Sequence, residues 1–357
     1  MAQTPQHLII IGSGIIGLTL AVAAQARGYD VTVLGTEPVD ATASGIAAGM
    51  IAPALEALGD PEPEQSYARL SKARAAWFDR LDVWPPRVQD ALRASRDRAV
   101  SRYVWPQSEN TSDYATPRLK AMGIGFTPLS DNDLHQVAAD CNGVRLDGED
   151  LIDAMPVLRA LAAELHDLRT ATVAAVTATS VTLATGERLT ADAVIVAAGF
   201  ASHAFRDTVP CLAALTPIKG HMLNLAGQGG LGVTRSSYGY LADYGAAARF
   251  GATMQFGASD LAVEDDMVAD LKFRAREFLP ALDTSHAVPR VGVRAATPDT
   301  WPLIGRDDAS GVYVATGMRR NGYIFAPFAA ALILDLIDNK SGEGTNIYNP
   351  NRFLSRH

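Results

Sequence analysis

The sequence predicts an α/β fold in which a Rossmann-like domain with a parallel sheet is joined to a second domain built on an antiparallel sheet. An apolar run at residues 7–11 leads directly into Gly12-x-Gly14-x-x-Gly17. A helical pattern at 18–27 and a second strand at 30–34 follow, which is the expected context of a dinucleotide site. Short alternating strands between 215 and 257 indicate the antiparallel sheet.

Length and composition indicate a globular protein with more than one core. The chain has 357 residues, 48% of them hydrophobic and 20% charged, which predicts two domains or one large elaborated domain. A net charge of −8 argues against nucleic acid or an anionic membrane as partner, and no apolar run is long enough to span a bilayer. The apolar N-terminus lacks a preceding Lys or Arg, which argues against a signal peptide.

The two cysteines, Cys141 and Cys211, lie outside any motif for zinc binding. We therefore expect neither a disulfide framework nor a metal site. A reducing compartment fits this usage, so the expected location is cytoplasmic.

The N-terminal half alternates helical and irregular patterns after the first two strands. Residues 41–52 are rich in Gly, Ala and Ser, and the apolar residues at their end favour burial against a ligand over a flexible surface loop. Amphipathic patterns predict helices at 65–81 and 87–101. The segment 103–142 is rich in Pro, Asp, Asn and Ser, and we expect it to be irregular and to cover the site.

The C-terminal half predicts one more hairpin and a return to the parallel sheet. Residues 193–199 are apolar on both faces, as a central parallel strand is. The other predicted elements are a helix at 150–165, hairpin strands at 169–176 and 180–183, strands at 221–225, 239–242 and 249–254, a helix at 263–278, a strand at 311–317 and a helix at 325–338. The parallel domain is thus assembled from both ends and the middle of the chain.

The three glycines have separate physical roles in a dinucleotide site. Gly12 permits the turn, Gly14 lets a pyrophosphate approach the backbone, and Gly17 lets the helix pack on the strand. Amide groups at the helix start, aided by the helix dipole, then hold the phosphates. The alternative is a glycine turn that binds nothing. The acidic residue that binds the ribose is not at the usual strand end, where Gly35 stands, so Glu37 is the candidate.

The glycine motif alone does not separate NAD from FAD. Five stretches are informative together: IIGSGIIG (10–17), AAGMIAP (47–53), KGHM (219–222), GVRAATPDTWPLIG (292–305) and GMRRNGYIFAP (317–327). With them, nearly the whole chain resembles the D-amino-acid oxidase and glycine oxidase family of FAD enzymes, in particular the glycine oxidase branch. The resemblance implies noncovalent FAD, a Rossmann-like FAD-binding domain and an antiparallel-sheet substrate domain.

The resemblance also implies which residues contact FAD. They are Gly12, Gly14, Ile15, Ile16 and Gly17 at the pyrophosphate, Glu37 at the ribose, Thr42, Ser44, Ala47, Ala48, Gly49 and Met50 along the phosphates and flavin, Val173 at the adenine, Ala198 and Gly199 near the pyrophosphate and ribose, and Gly317, Arg320, Asn321, Gly322 and Tyr323 beside the flavin ring. The N-terminus of the last helix can there stabilise negative charge on reduced flavin.

By the same resemblance, Arg294 matches an arginine that binds the substrate carboxylate, which suits a guanidinium fork. The alternative for Arg294 is a surface ion pair with Asp299. Tyr240 matches a tyrosine that assists at the carboxylate, with an ordinary sheet aromatic as the alternative. Arg320, Met254 and Tyr238 match pocket positions and are equally compatible with plain packing.

His221 is a candidate catalytic base, but a lone histidine on a strand is more often structural. No cysteine stands in 292–296, where a related branch tethers its flavin. Arg294 favours a primary amino acid over a secondary amine.

The expected activity is FAD-dependent oxidative deamination of a small D-amino acid or glycine, with O₂ as acceptor. The alternatives are a dehydrogenase with another acceptor, an oxidase of a secondary amine such as sarcosine or a cyclic imino acid, a flavin-binding protein without turnover, and a nicotinamide dehydrogenase. We expect residues 1–80, 143–212 and 290–357 to form the FAD domain, and 81–142 and 213–289 the substrate domain. The side-chain specificity and the oligomeric state, a homo-oligomer included, stay open.

Overall fold

The computed structural model describes residues 7–79, 81–96, 101–108, 111–130, 137, 140–227, 232–340 and 347–354. Within them the chain forms a six-stranded sheet, a nine-stranded sheet and two small sheets. The predicted α/β architecture is confirmed, with a parallel sheet and separate antiparallel sheets.

The strands of the described chain follow in this order: β1 (His7–Ile11), β2 (Asp30–Gly35), β3 (Met50–Ile51), β4 (Ser101–Pro106), β5 (Phe126–Pro128), β6 (Cys141–Leu146), β7 (Asp150–Leu151), β8 (Leu168–Thr170), β9 (Val173–Val176), β10 (Ser180–Leu183), β11 (Arg188–Thr190), β12 (Ala193–Val196), β13 (Thr216–Ala226), β14 (Val233–Ser236), β15 (Gly239–Asp243), β16 (Ala247–Gly251), β17 (Gln255–Phe256), β18 (Val288–Ala296), β19 (Leu303–Arg306) and β20 (Tyr313–Thr316).

The helices between them are α1 (Ile15–Ala26), α2 (Ala43–Ile46), α3 (Pro53–Ala57), α4 (Pro63–Phe78), α5 (Pro86–Arg96), α6 (Thr111–Ala121), α7 (Ala154–Ala163), α8 (Asp265–Phe278) and α9 (Gly322–Ile337). Short 3₁₀ turns lie at Leu81–Val83, Gly199–Phe205, Pro210–Ala214 and Pro350–Phe353.

The six-stranded sheet has the order β19-β20-β12-β1-β2-β8. Every neighbouring pair is parallel except β19 and β20 at one edge. Leu8, Ile9 and Ile10 of β1 are fully buried, as expected for a strand covered on both faces. Burying each such side chain contributes about 1.5–3 kcal/mol, so the central strand is held firmly at the place where it enters the glycine turn.

Helix α1 is apolar nearly all round because it packs between the sheet and other helices. It begins at Ile15, three residues before the predicted start, and contains Gly17 in its first turn. Helix α9 begins at Gly322, also three residues early, and packs against α1. Both helices therefore point their N-termini toward the same region of the molecule, beyond the ends of the parallel strands.

Eight strands of the nine-stranded sheet follow the order β17-β13-β16-β15-β14-β4-β6-β5. The ninth strand, β18, pairs over all of its own residues with β13. Only the β4–β14 pair in this sheet is parallel among the described pairings. The expected domain boundaries at 142/143 and 289/290 cut through β6 and β18, which both belong to this sheet.

Several elements differ from the sequence-based expectation. The segment 103–142 is not irregular throughout: it contains most of β4, all of α6 and β5, and the start of β6. Among its described residues, Gln107, Ser108, Lys120 and Thr127 are exposed, and such polar positions interrupt the apolar pattern of these short elements. The run 169–176 is split, because β8 joins the parallel sheet while β9 forms an antiparallel sheet with β10 and β11. Residues 97–100 of the helix predicted at 87–101 lie outside the described residues.

No helix in the described ranges combines the length and apolar character needed to cross a bilayer.

Candidate active site

A cavity of about 970 Å³ lies between the C-terminal ends of the parallel strands and one face of the nine-stranded sheet. Its lining includes the residues that follow β1, β2, β8, β12 and β20. Open α/β sheets bind ligands at this edge. The volume is at the upper end of the range for small-molecule and cofactor sites, so the cavity has room for a large ligand.

The glycine turn after β1 brings backbone to the wall of this cavity. Gly12 has a φ of +121°, and a Cβ there would fall 2.6 Å from the carbonyl carbon of Ala197 at the end of β12. A side chain at Gly17 would collide with the carbonyl oxygen of Gly12. Leu18 is the first residue of α1 whose N–H bonds back, to Gly14 O at 3.0 Å. The N-terminus of α1 thus lies on the cavity lining, where amides at a helix start can bind an anion.

The loop 41–52 crosses the cavity as a defined structure. Thr42 Oγ1 accepts a hydrogen bond from Gly45 N at 3.1 Å and so caps α2. Ser44 Oγ accepts one from Ile15 N at 3.0 Å, which ties the loop to the start of α1. Tyr323 donates its hydroxyl to Ser44 O at 2.9 Å. These bonds fix the loop against both helix N-termini.

The second sheet also holds this loop in place, through side chains that the sequence analysis did not identify. Arg249 is 8% exposed and donates from Nη1 to the carbonyl oxygens of Ile46 and Ala47. Tyr244 donates its hydroxyl to Ala48 O at 2.5 Å. Residues 46–48 are thus positioned from the opposite wall of the cavity.

One transverse row of the nine-stranded sheet forms a wall of the cavity. Arg235 pairs in register with Tyr103 on β4 and with Tyr240 on β15. Tyr240 in turn faces Gly251, and Gly251 faces Met222. Side chains opposite each other on adjacent strands share a face, and all five residues line the cavity.

Arg294 comes from β18, on the far side of the same wall. Its Nη1 donates to Thr253 O at 3.3 Å, and none of the described carboxylates forms an ion pair with it. Asp299, the alternative partner, instead binds Arg352 at 2.8 Å. A side chain on Gly220 would overlap the guanidinium of Arg294. The Arg294 side chain therefore lies over Gly220 with donors that the described protein leaves available.

Tyr240 complements this arginine. Desolvation inside the protein raises the pKa of its phenol above the ordinary value, although the nearby charges of Arg294 and Arg235 act in the opposite direction. The hydroxyl consequently stays protonated near neutral pH and can donate a hydrogen bond to an anion.

Glu56 forms a buried ion-pair group with two arginines. It is 5% exposed, and its carboxylate contacts Arg320 Nε and, at 2.7 Å, Arg235 Nη2. Burial favours the neutral acid, but the charges of Arg320 and Arg235 outweigh it and lower the pKa of Glu56 to about 2. The carboxylate is thus permanently ionised and links α3, β14 and the turn before α9.

A second buried carboxyl, Glu149, supports helix α3 from behind. Its Oε1 accepts a hydrogen bond from Ala54 N at 2.7 Å in the first turn of α3. Burial raises the pKa of Glu149 to about 7, and the charge of Arg235 opposes that shift only in part. Glu149 therefore changes its charge near neutral pH, and it contacts α3 two residues before Glu56.

His221 lies outside the cavity lining and is fully buried. Its Nε2 accepts a hydrogen bond from Glu264 N at 3.0 Å, and its Nδ1 lies 3.2 Å from Thr253 Oγ1. Desolvation lowers the pKa of His221. These contacts give it a structural role between β13 and the start of α8.

The structure places most of the predicted site residues on one cavity. Of the predicted cofactor residues, Gly12, Gly14, Ile15, Ile16, Glu37, Thr42, Ser44, Ala47, Ala48, Gly49, Met50, Val173, Ala198, Gly199, Gly317, Arg320, Gly322 and Tyr323 line it. Gly17 lies behind the wall at the α1–β1 contact, and Asn321 lines a small neighbouring pocket with Glu56.

The five predicted substrate residues are distributed differently. Arg294, Tyr240, Arg320 and Met254 line the cavity, and Met254 is 41% exposed at its rim. Tyr238 does not line it and packs instead beside the apolar cluster that contains Leu223 and Phe250.

Two residues missed by the sequence analysis carried a readable signal. Glu56 interrupts the apolar run 51–58, where a buried carboxylate requires a cationic partner. Gly251 lies within a strand, where glycine often marks a close approach.

Comparisons with known proteins agree with this architecture. The family described as "DAO: FAD dependent oxidoreductase" matches residues 7–336. The chain is 27% identical over 378 residues to the bifunctional protein ThiO/ThiG of Synechocystis sp., covering 99% of this chain and 55% of that protein. It is 29% identical over 358 residues to the bifunctional tRNA 5-methylaminomethyl-2-thiouridine biosynthesis protein MnmC of Caulobacter vibrioides, covering 95% of this chain and 56% of that protein. The chain thus spans about half the length of these curated relatives.

The crystal structure of glycine oxidase from Geobacillus kaustophilus superimposes with a TM-score of 0.83 at 20% identity, covering 98% of this chain and 99% of that one. At this identity the likeness establishes the shared fold.

Proposed function

The chain belongs to the DAO family of FAD-dependent oxidoreductases, and we propose that it deaminates a small D-amino acid or glycine to the 2-oxo acid, ammonia and hydrogen peroxide. In this proposal the parallel-sheet domain holds FAD and the nine-stranded sheet presents the substrate. The observation that carries it is the pair Arg294 and Tyr240. Both side chains can donate hydrogen bonds to an anion, and they lie on neighbouring parts of one cavity wall.

The described residues fit FAD. The close approach of Gly12 to the end of β12 leaves only backbone at the point where a pyrophosphate would lie. The N-termini of α1 and α9 both reach the cavity, and each carries the positive end of a helix dipole. Gly12 and Gly14 would hold the pyrophosphate, while residues 46–50 and the start of α9 would contact the flavin. When bound, FAD supplies a two-electron acceptor.

The substrate carboxylate would accept hydrogen bonds from Arg294 and from the Tyr240 hydroxyl. Two bonds from the Arg294 guanidinium fix the orientation of the carboxylate and compensate its charge, because the guanidinium is planar. The substrate Cα is then turned toward the middle of the cavity. Arg294 retains its donors for this contact, since its described protein partner is a single carbonyl oxygen, that of Thr253.

The reaction removes a hydride from Cα and a proton from nitrogen, and a C=N bond forms. Water then hydrolyses the imino acid to the 2-oxo acid and ammonia, and the electron pair passes to O₂ as hydrogen peroxide. No protein base is required when the amine arrives neutral, so the contribution of the chain is orientation and electrostatics. His221, behind the wall, takes no part.

A spectrum of the purified protein tests the proposal directly. We expect a flavin absorbance that bleaches anaerobically with glycine or a D-amino acid and not with L-alanine. Bleaching without peroxide on readmission of air would replace the oxidase with a dehydrogenase. A flavin that no amine reduces would refute the deaminase assignment.

Arg294→Ala tests the assigned carboxylate contact. We expect the substrate dissociation constant to rise by about 10- to 100-fold, the equivalent of a lost charge-assisted hydrogen-bond pair. An unchanged dissociation constant would show that the contact is misassigned. Arg274→Gln, on the exposed side of α8, is the matched control.

A further inference from the structure

The wall that carries Arg294 holds more positive charge than one substrate carboxylate requires. The charged residues lining this end of the cavity, in the described chain, are Arg235, Arg294, Arg319, Arg320 and Glu56. Asp60 lies beside Arg319 and Arg320 in the adjoining small pocket, so four guanidinium groups against Glu56 and Asp60 leave two positive charges. Glu149 lies near Arg235, and burial raises its pKa toward the neutral form. A substrate with a single carboxylate would compensate one of them.

Two of these charged residues, Arg235 and Glu56, lie where water screens charge poorly. The side chain of Arg235 is 15% exposed, and that of Glu56 is 5% exposed. Charge pairs interact more strongly in such surroundings than in water, and uncompensated charge there is unfavourable. Glu56 is shared between Arg235 and Arg320, so neither arginine has a carboxylate to itself among the described residues.

Unused donors accompany the surplus charge. The Nε atoms of Arg235 and Arg319 are buried and have no hydrogen-bond partner in the described chain. Buried donors are satisfied in most proteins, so these two are unusual. Both atoms are shielded by the protein itself, so a ligand in the cavity would contact the exposed part of the Arg235 side chain rather than its Nε.

Arg235 is also placed to reach the same ligand as Arg294. It lies directly across the strand pair from Tyr240, and its guanidinium carbon is 6.0 Å from the centre of the Tyr240 ring. Arg294 approaches Tyr240 from the opposite direction, from β18 beyond β13. Tyr240 therefore has a cavity-lining arginine on each side.

We propose that the substrate is an amine with two carboxylates, one bound by Arg294 and Tyr240 and the other by Arg235. This inference rests on the proposed deaminase function and names its substrate class. The second carboxylate is either on the side chain, as in D-aspartate, or on the nitrogen, as in iminodiacetate. The electron and proton balance is that of the proposed reaction, with ammonia released in the first case and glycine in the second.

The test compares each dicarboxylate with its neutral analogue on the FAD-loaded protein. Anaerobic flavin reduction is measured with D-aspartate against D-asparagine, with iminodiacetate against its monoamide, and with glycine and D-alanine. We expect one of the two pairs to favour the dicarboxylate by about 10- to 100-fold in the reduction rate divided by the dissociation constant. That pair then identifies the position of the second carboxylate.

Two variants assign the effect to Arg235. In Arg235→Gln the ratio between the dicarboxylate and its neutral analogue should fall to within about threefold of unity, and this ratio is the readout because Arg235 also pairs with Glu56. Arg235→Lys should keep part of the preference, because charge is retained and the fork is lost. Arg274→Gln, whose side chain pairs with Asp270 on the surface of α8, should keep all of it.

The possible failures are distinguishable. Reduction by glycine or D-alanine with no preference in either pair would overturn the dicarboxylate proposal and leave the deaminase function intact. If no amine reduces the flavin, the deaminase function fails. The binding of carboxylates that do not react then tests the dicarboxylate proposal. Malonate and succinate should then perturb the flavin absorbance at lower concentrations than acetate and propionate do, and Arg235→Gln should abolish the difference. Equal affinities would overturn the dicarboxylate proposal as well.

Discussion

Gly220→Ala is expected to impair substrate binding without unfolding the protein. The Cβ it adds would fall 2.8 Å from the central carbon of the Arg294 guanidinium, closer than real Cβ atoms pack. The obstructing group is the end of a flexible side chain, so it can move aside at little energetic expense. The backbone of Gly220 is not in the left-handed region, so alanine fits its conformation without strain.

The expected magnitude follows from what Arg294 loses. A displacement of about 1 Å in a positioning group can reduce activity by about 10²-fold. A charge-assisted hydrogen bond contributes about 1.5–3 kcal/mol. Loss of one of the two guanidinium bonds to the carboxylate would therefore raise the substrate dissociation constant by roughly 10- to 100-fold. The melting temperature should change little, because alanine also restricts the unfolded chain.

The assay is anaerobic flavin reduction, with the melting temperature and FAD content measured in parallel. Gly125→Ala is the control, since its Cβ would make one ordinary contact, with Asp147 at 3.4 Å. The decisive comparison is the double variant: in an Arg294→Ala background, Gly220→Ala should have no further effect on the dissociation constant. Additive effects would refute the reasoning, because they would place the methyl group's action somewhere other than on Arg294.

Two further predictions concern the carboxyl group behind α3 and the glycine turn. Burial raises the pKa of Glu149 from 4.5 to about 7, so the folded state holds a proton there that the unfolded chain releases, and stability falls as the pH rises through that window. Glu149→Gln should therefore raise the melting temperature relative to wild type at pH 8 and lose that advantage at pH 5; the same difference at both values would contradict it. Gly12→Ala should yield protein with little FAD, because its Cβ would collide with Ala197; wild-type flavin content, measured by absorbance after denaturation, would contradict this.

The parallel domain was predictable because its signals are local. The β1–glycine–α1–β2 unit occupies adjacent residues, and the apolar run before Gly199 marks a central strand without reference to anything distant. Its boundaries were less predictable, since α1 and α9 both begin within their glycine-containing turns. In both helices tertiary packing against the sheet and each other outweighs the low helix propensity of glycine.

The second domain was harder to predict because its pairings are distant in sequence. β4 lies beside β14 although about 130 residues separate them, and its parallel pairing has no local turn to mark it. β18 was not predicted as a strand because Pro289 and Gly292 interrupt its apolar residues. Its pairing with β13 places Gly220 opposite Gly292, a register that no periodicity rule detects.

The same difference between local and distant signals determines which residues of the candidate site could be predicted from the sequence. The proposed FAD contacts follow from motifs whose residues are neighbours, whereas the group Glu56, Arg235 and Arg320 comes from three segments that meet only in the folded chain. Each member alone resembles an ordinary surface charge. Their pairing leaves Arg294 without a carboxylate partner in the described chain, because Glu56 is engaged by the other two arginines and Asp299 by Arg352. The availability of Arg294 for a substrate is therefore a property of the whole charge arrangement, and removing Glu56 would alter the site as surely as removing Arg294.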